Sequence, residues 1–146
     1  MQLKKAERKF RLATPDYARL AAFRQSLREF LSFSEDAAAR EGLTAQHYQA
    51  MLILRACPEN KRVTINDLAR SLLIKHNSAV GLVDRLVKEG LVARVASRED
   101  RRKVELRLSA KGRRVLSKLA GMHRGERQRI GPMLEKFFAE ISRRAR

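Results

Sequence analysis

The sequence predicts a mainly α-helical chain with one small β-hairpin, an α+β arrangement. Three observations predict it. Apolar residues recur at three- and four-residue spacing over most of the chain, the period of helices with one buried face. Strand-like alternation is confined to one stretch, where Val104, Leu106 and Leu108 alternate with Lys103, Glu105 and Arg107. The length, 146 residues, suits a single domain with a core of its own.

The elements follow in chain order. Residues 1–13 are polar and basic, with Leu3, Phe10 and Leu12 as the main large apolar residues, and read as a frayed or partly helical arm, the alternative being a DNA-touching or dimer-spanning extension. Thr14-Pro15-Asp16 starts a helix: a cap, a proline at the first position and an acid in the first turn. From Tyr17 that helix carries Leu20, Phe23, Leu27, Phe30 and Leu31, with Phe33 close behind, and Gly42 closes it. Thr44 caps the next helix, with Tyr48, Met51, Leu52 and Leu54 inside. It ends near Cys57-Pro58, because the residue before proline is pushed out of helical geometry. A loop to Val63 follows, with Arg62-Val63 available as a short strand to pair with the hairpin.

Thr64 caps a third helix, with Asp67 three residues on and Leu68, Ala69, Leu72 and Leu73 as its apolar stripe. Leu73-Ile74-Lys75 is a turn. The fourth helix carries Ala79, Leu82, Val83, Leu86 and Val87, and Gly90 stops it. The hairpin comes next, from Leu91-Val92-Ala93-Arg94-Val95 to Leu108, with the tip Ser97-Arg98-Glu99-Asp100-Arg101-Arg102. Ser109-Ala110-Lys111-Gly112 opens a helix through Val115, Leu116, Leu119, Ala120 and Met122. Gly131-Pro132 interrupts it, and a last helix holds Met133, Leu134, Phe137, Phe138 and Ile141. The chain ends Ser142-Arg143-Arg144-Ala145-Arg146, cations suited to a helix C-terminus.

Two short helices joined by a tight turn form a helix-turn-helix, whose second helix enters the DNA major groove by its N-terminal end. That reading makes Lys75, His76, Asn77, Ser78, Val80 and Arg85 the candidate contacts of the reading helix. His76, Asn77 and Ser78 suit base edges, Val80 suits a thymine methyl, and Arg85 suits a phosphate or the scaffold. The hairpin tip supplies Arg98, Asp100, Arg101, Arg102 and Lys103. Arg102 suits a narrow minor groove, and Asp100 would hold the loop by pairing with a nearby cation. Arg98, Arg101 and Lys103 would serve phosphates. The bland alternatives are a solvated amphipathic helix and a charged hairpin tip; the coincidence of both features with the charge excess weighs against them.

The run Leu82-Val83-Asp84-Arg85-Leu86, then Gly90-Leu91-Val92, then Asp100 and Arg102 leading to Leu108-Ser109, resembles the MarR family of winged-helix regulators. The resemblance covers nearly the whole chain. It departs at Lys75, where the family often has Ser, Thr or Asp, and at Gly81, where it often has Arg. The resemblance implies a winged helix-turn-helix flanked by N- and C-terminal dimerisation helices. The corresponding parts are an arm and helix over residues 1–43, a DNA-binding core over 44–108 and helices over 109–146, integrated as one domain. Periodicity alone leaves open whether the flanking helices form an intrachain bundle or interlock with a second copy; the resemblance implies the homodimer. It also implies an effector pocket for small aromatic or phenolic acids, with Phe23, Phe30, Phe33, His47 and Met51 as candidate liners.

Composition bounds the rest. A formal net charge of +17 favours a polyanionic partner, most simply double-stranded DNA. No stretch approaches the roughly 20 apolar residues that span a bilayer, and no apolar run follows the basic N-terminus as in a signal peptide. The one cysteine, Cys57, reads as a small core residue; no internal disulfide is expected, and a reducing cytoplasm fits. His47, His76 and His123 are scattered, without metal-ligand spacing. No nucleophile–base pair, metal cluster or phosphate loop suggests an enzyme, and no cofactor is expected. Together with the charge excess, the resemblance implies a ligand-responsive repressor acting as a homodimer on a near-palindromic operator. The alternative is a basic architectural protein that coats DNA without one.

Overall fold

The computed structural model describes residues 14–58 and 60–144, so the reading of residues 1–13 as an arm lies outside the described residues. Five helices and one hairpin follow in order: α1 (Thr14–Ala39), α2 (Ala45–Ala56), α3 (Ile65–Leu72), α4 (His76–Lys88), β1 (Val92–Ala96), β2 (Val104–Leu108) and α5 (Ala110–Arg144). The chain divides into two units. One takes residues up to Ser32 and from Gly125 onward; the other is Phe33–Arg124.

The Phe33–Arg124 unit holds the main core. Met51, Leu68, Val83, Leu86 and Leu119 are fully enclosed there, one or more from each of α2 to α5. Helices this short are marginal alone, so their stability comes from burying these faces together. Threonine caps begin α2 and α3 as the spacing predicts. Thr44 Oγ1 accepts the His47 N–H at 3.3 Å, and Thr64 Oγ1 accepts the Asp67 N–H at 3.2 Å. Each cap is reciprocal: the Thr44 N–H donates to His47 Nδ1 at 3.0 Å, and the Thr64 N–H to Asp67 Oδ2 at 2.9 Å.

The Thr64 N–H is the main reason the Asp67 carboxyl titrates below the ordinary aspartate range. The Thr64 hydroxyl and Arg70 act the same way, against the opposing effect of burial. A depressed folded-state pKa contributes stability above the unfolded pKa and loses it as pH falls through the folded one. Acid unfolding should therefore be less steep below pH 4 in Asp67→Asn than in the parent, read by far-UV circular dichroism. Matching acid limbs would remove the cap as a contributor.

The turn between α3 and α4 is tight. Leu73 adopts φ 56°, ψ 41°, a left-handed conformation that costs a non-glycine residue on the order of 1 kcal/mol. The Ile74 N–H donates to Ala69 O at 3.0 Å and stabilises the reversal. At the far end of α4, Gly90 (φ 70°) turns the chain into β1.

β1 and β2 pair antiparallel from Val92↔Leu108 to Ala96↔Val104, and the expected pairing at Val63 appears as a bridge to Leu106. The simple alternation expected for β2 does not hold. Val104 is exposed, whereas Glu105 is only 7% exposed. The cause is the incoming loop: Arg62 lies against Glu105 at 3.3 Å, beside the Val63 bridge, and covers the strand's charged side.

Ser109 ties the hairpin to α5. Its hydroxyl donates to Gly90 O at 2.6 Å and accepts the Gly112 N–H at 2.9 Å, while its own N–H donates to Leu91 O at 3.0 Å. The expected interruption at Gly131-Pro132 is absent: α5 is continuous, with Pro132 inside it. A proline removes one helical hydrogen bond, which neighbouring side-chain packing can offset. In the terminal unit that packing is aromatic. Phe137, on the carboxyl side of Pro132, stacks on Phe23 with centroids 4.3 Å apart, and Phe138 meets both rings edge-on.

Candidate nucleic-acid interface

The start of α4 is polar and open. Lys75 occupies the N-cap without a side-chain cap hydrogen bond, and Lys75, His76, Asn77 and Ser78 are all exposed. Ala79, Leu82, Val83 and Leu86 seat the helix in the core. Its first-turn N–H groups give this end a partial positive charge, which attracts phosphate. Val80 is half-buried. Arg85 lies two turns further on, bonded to Glu89 at 3.2 Å and donating to Gly42 O at 3.4 Å, so it braces α4 against the α1–α2 turn. Asp84 pairs with Arg94 and ties α4 to β1.

His76 has a partner that the sequence did not suggest. Its Nδ1 lies 2.6 Å from Asn66 Oδ1 on α3. The amide oxygen accepts, so the proton sits on Nδ1 and Nε2 is left for another group. The signal was weak in the sequence because the two residues lie in different helices.

At the hairpin tip Arg98, Asp100, Arg101, Arg102 and Lys103 are all exposed. Asp100 does hold the loop, but by a different contact from the expected cation pair. Its Oδ1 accepts the Arg102 backbone N–H at 3.0 Å, and its carbonyl accepts the Lys103 N–H at 2.9 Å. An aspartate bonding the N–H two residues on is a local turn device, independent of any charge partner. Ser97, buried and not anticipated, accepts from the Glu99 and Asp100 N–H groups at 3.3 and 3.4 Å.

The helix start and the hairpin meet. One cleft of about 500 Å³ is bordered by His76 from α4, by Asn66 and Arg70 from α3, and by Arg102 and Lys103 from the tip. A second hollow of about 410 Å³ shares Lys103, Thr64 and Asp67 with it and adds Arg62 and Arg98.

The candidate effector residues fall in both units. Phe23 lines a cavity of about 460 Å³ in the terminal unit, with Arg19, Met133 and Phe137. Phe30, in the same unit, is half-buried. In the other unit Met51 is fully enclosed, Phe33 packs edge-on against His123 at 5.5 Å, and His47 serves the α2 cap. His123 is 1% exposed, stacked on Tyr48 at 4.3 Å and bonded to Ser34 Oγ at 2.8 Å. It was legible in principle, because it lies four residues after Leu119 on the same helical face.

Burial holds the His47 pKa below the ordinary histidine value of about 6.5; Arg85 adds to this, and Glu35 opposes it. Nδ1 must stay unprotonated to accept the Thr44 N–H, which agrees with that direction. Stability tied to this cap is therefore complete above the unfolded pKa and declines as pH falls through the folded one. An NMR titration should find His47 below 6.5, moving back toward 6.5 in Arg85→Gln. A value above 6.5 would contradict the cap.

Residues 41–103 match the family model described as MarR family. Over that stretch the chain is similar to MarR-family regulators. The transcriptional activatory protein BadR of Rhodopseudomonas palustris is 32% identical over 80 residues, 55% of this chain and 46% of that protein. The chain spans about half the length of the curated relatives it matches. Among solved structures, CouR of Rhodococcus jostii, bound to p-coumaroyl-CoA, is 26% identical with a TM-score of 0.63, covering 74% of each chain. A Staphylococcus aureus MepR variant bound to an oligodeoxyribonucleotide shares the fold at 17% identity, with a TM-score of 0.65 over 86% of this chain and 94% of that one. Among the described residues no helix is long and apolar enough to cross a membrane.

Proposed function

We propose that the chain is a homodimeric, sequence-specific regulator of transcription that binds double-stranded DNA in the cytoplasm and is released from it by a small ligand. The observation that carries the DNA reading is the shared cleft. His76 at the start of α4 and Arg102 at the hairpin tip border the same hollow, so one duplex can meet both. The major groove would receive His76, Asn77 and Ser78, and the adjoining minor groove Arg102, with Lys75, Arg98, Arg101 and Lys103 on phosphates. The MepR variant's oligonucleotide complex supports the same use of this fold.

The dimer reading rests on the terminal unit, where Tyr17, Leu31 and Phe138 are 58%, 61% and 54% exposed. Large apolar side chains left open at this density suit a partner surface. Two reading heads related by a two-fold axis call for a near-palindromic operator with half-sites roughly 10 bp apart. Repression is the expected direction, although BadR is named as an activator. The effector class is a small aromatic or phenolic acid, and Phe23, which lines the cavity of the terminal unit with Arg19 and Phe137, is the residue to vary; CouR is bound to p-coumaroyl-CoA, the thioester of such an acid.

The deciding experiment selects bound fragments from random duplex DNA, then titrates selected and random DNA in parallel. A preference of a thousand-fold or more supports operator recognition. Near-equal affinity would instead favour a protein that coats DNA without an operator. Sedimentation of the free chain tests the dimer.

A further inference from the structure

A third hollow, of about 350 Å³, opens where the end of α2, the following loop, β2 and the start of α5 converge. Its apolar lining comes from Leu54, Pro58, Val63, Leu106 and Leu108. Its rim carries Arg55, Lys61, Arg62, Arg107 and Arg113, and no described carboxylate side chain lines it. Arg62 is engaged with Glu105 at 3.3 Å, and Arg113 donates to the Leu108 carbonyl at 3.2 Å. Arg55, Lys61 and Arg107 are exposed and make no ion pair among the described residues. The Cys57 thiol donates to Lys61 O at 3.4 Å and holds the loop across the mouth; the residue is half-buried at the edge of the core.

Like charges gathered around one concavity repel each other, and a bound anion relieves that cost. Arg55 alone could be explained by the carboxyl end of α2, where a cation offsets the helix dipole. That does not account for Arg107 on β2. Phosphate alone would need only the cations, whereas this hollow also offers Leu54, Val63, Leu106 and Leu108 to an organic body. The DNA-facing cleft described above is lined by a different set of residues.

We propose that this hollow is a binding site for a small organic anion carrying phosphate or several carboxylates on an apolar body. The anionic groups meet Arg55, Lys61 and Arg107, and the body rests on Val63, Leu106 and Leu108. The site is independent of DNA recognition and does not rest on it.

Thermal unfolding of the full chain tests this, with inorganic pyrophosphate or phenyl phosphate added at constant ionic strength. Both probes should raise the Tm saturably, because a ligand that binds only the folded chain stabilises it. Phenyl phosphate reads the apolar lining, and pyrophosphate the charge alone. The double variant Arg55→Gln with Arg107→Gln should need at least ten-fold more probe, while Arg124→Gln, an exposed arginine outside this hollow and the DNA-facing cleft, should behave as the parent. Each of these side chains is exposed, and far-UV spectra check that each variant is folded. Absence of saturation in the parent, or equal half-saturation in parent and double variant, overturns the proposal. Loss in Arg102→Gln instead would put the anion on the DNA face and overturn it too. A shortened footprint on selected DNA in the double variant would make the hollow a duplex contact, again overturning it.

Discussion

Gly112→Ala should destabilise the chain by about 3 kcal/mol or more, the upper end of overpacking costs, out of the roughly 5–15 kcal/mol typical of a domain. A Cβ at Gly112 would lie 2.1 Å from Leu91 O and 3.1 Å from Leu108 Cδ2. The first of these neighbours is backbone, so no rotamer change relieves the clash. Nor is Leu91 free to retreat, because its carbonyl already accepts the Ser109 N–H at 3.0 Å and its side chain is in the core. Moving α5 away from β1 would break the Ser109 contacts that join them. With a urea slope of about 1–3 kcal/mol per molar, the unfolding midpoint should fall by at least about 1 M. Gly121→Ala is the matched control. It sits in the same helix with nothing within 4 Å of an added Cβ, so it should stabilise by up to about 1 kcal/mol. Equal effects of the two substitutions would contradict the close approach at the hairpin base.

That contact also marks where sequence reading stops. Thr44, Thr64, the turn at Leu73 and the reading-helix boundaries were legible because caps, stripes and turn residues act within a few positions of one another. The hairpin was legible for the same reason, and the MarR resemblance drew on the same local spacing. What failed was tertiary. Pro132 looked like a break, but the Phe23 and Phe137 stack lies on a partner helix far away in sequence. Glu105 looked like the outward side of a strand until the loop with Arg62 covered it. Asp100 was assigned a charge partner when a backbone N–H two residues away sufficed. The place of His76 in the candidate site was visible, but its bond to Asn66 was not, since no local pattern links α3 to the start of α4.

DNA affinity should collapse with salt, and the slope separates the roles within the interface. Log affinity falls with log salt by about 0.9 per phosphate neutralised. The chain offers Lys75 at the helix start and Arg98, Arg101, Arg102 and Lys103 at the tip, all exposed. If about three of these per protomer meet phosphates, a dimer neutralises roughly six, and affinity should drop about a thousand-fold between 50 and 200 mM salt. Arg101→Ala should flatten that slope by about two in the dimer and weaken selected and random DNA alike, because a phosphate contact carries no sequence. Asn77→Ala should do the reverse: leave the slope and random-DNA affinity unchanged, and cost about 1–3 kcal/mol on the selected sequence. Arg102→Ala should lower both affinity and slope, with its larger loss where the minor groove is narrow, since the attraction there depends on groove width. The three outcomes should differ if, as proposed, the tip and the helix start meet different parts of the duplex. A slope near zero, or the same profile from all three variants, would mean that the cleft shared by His76 and Arg102 does not receive DNA.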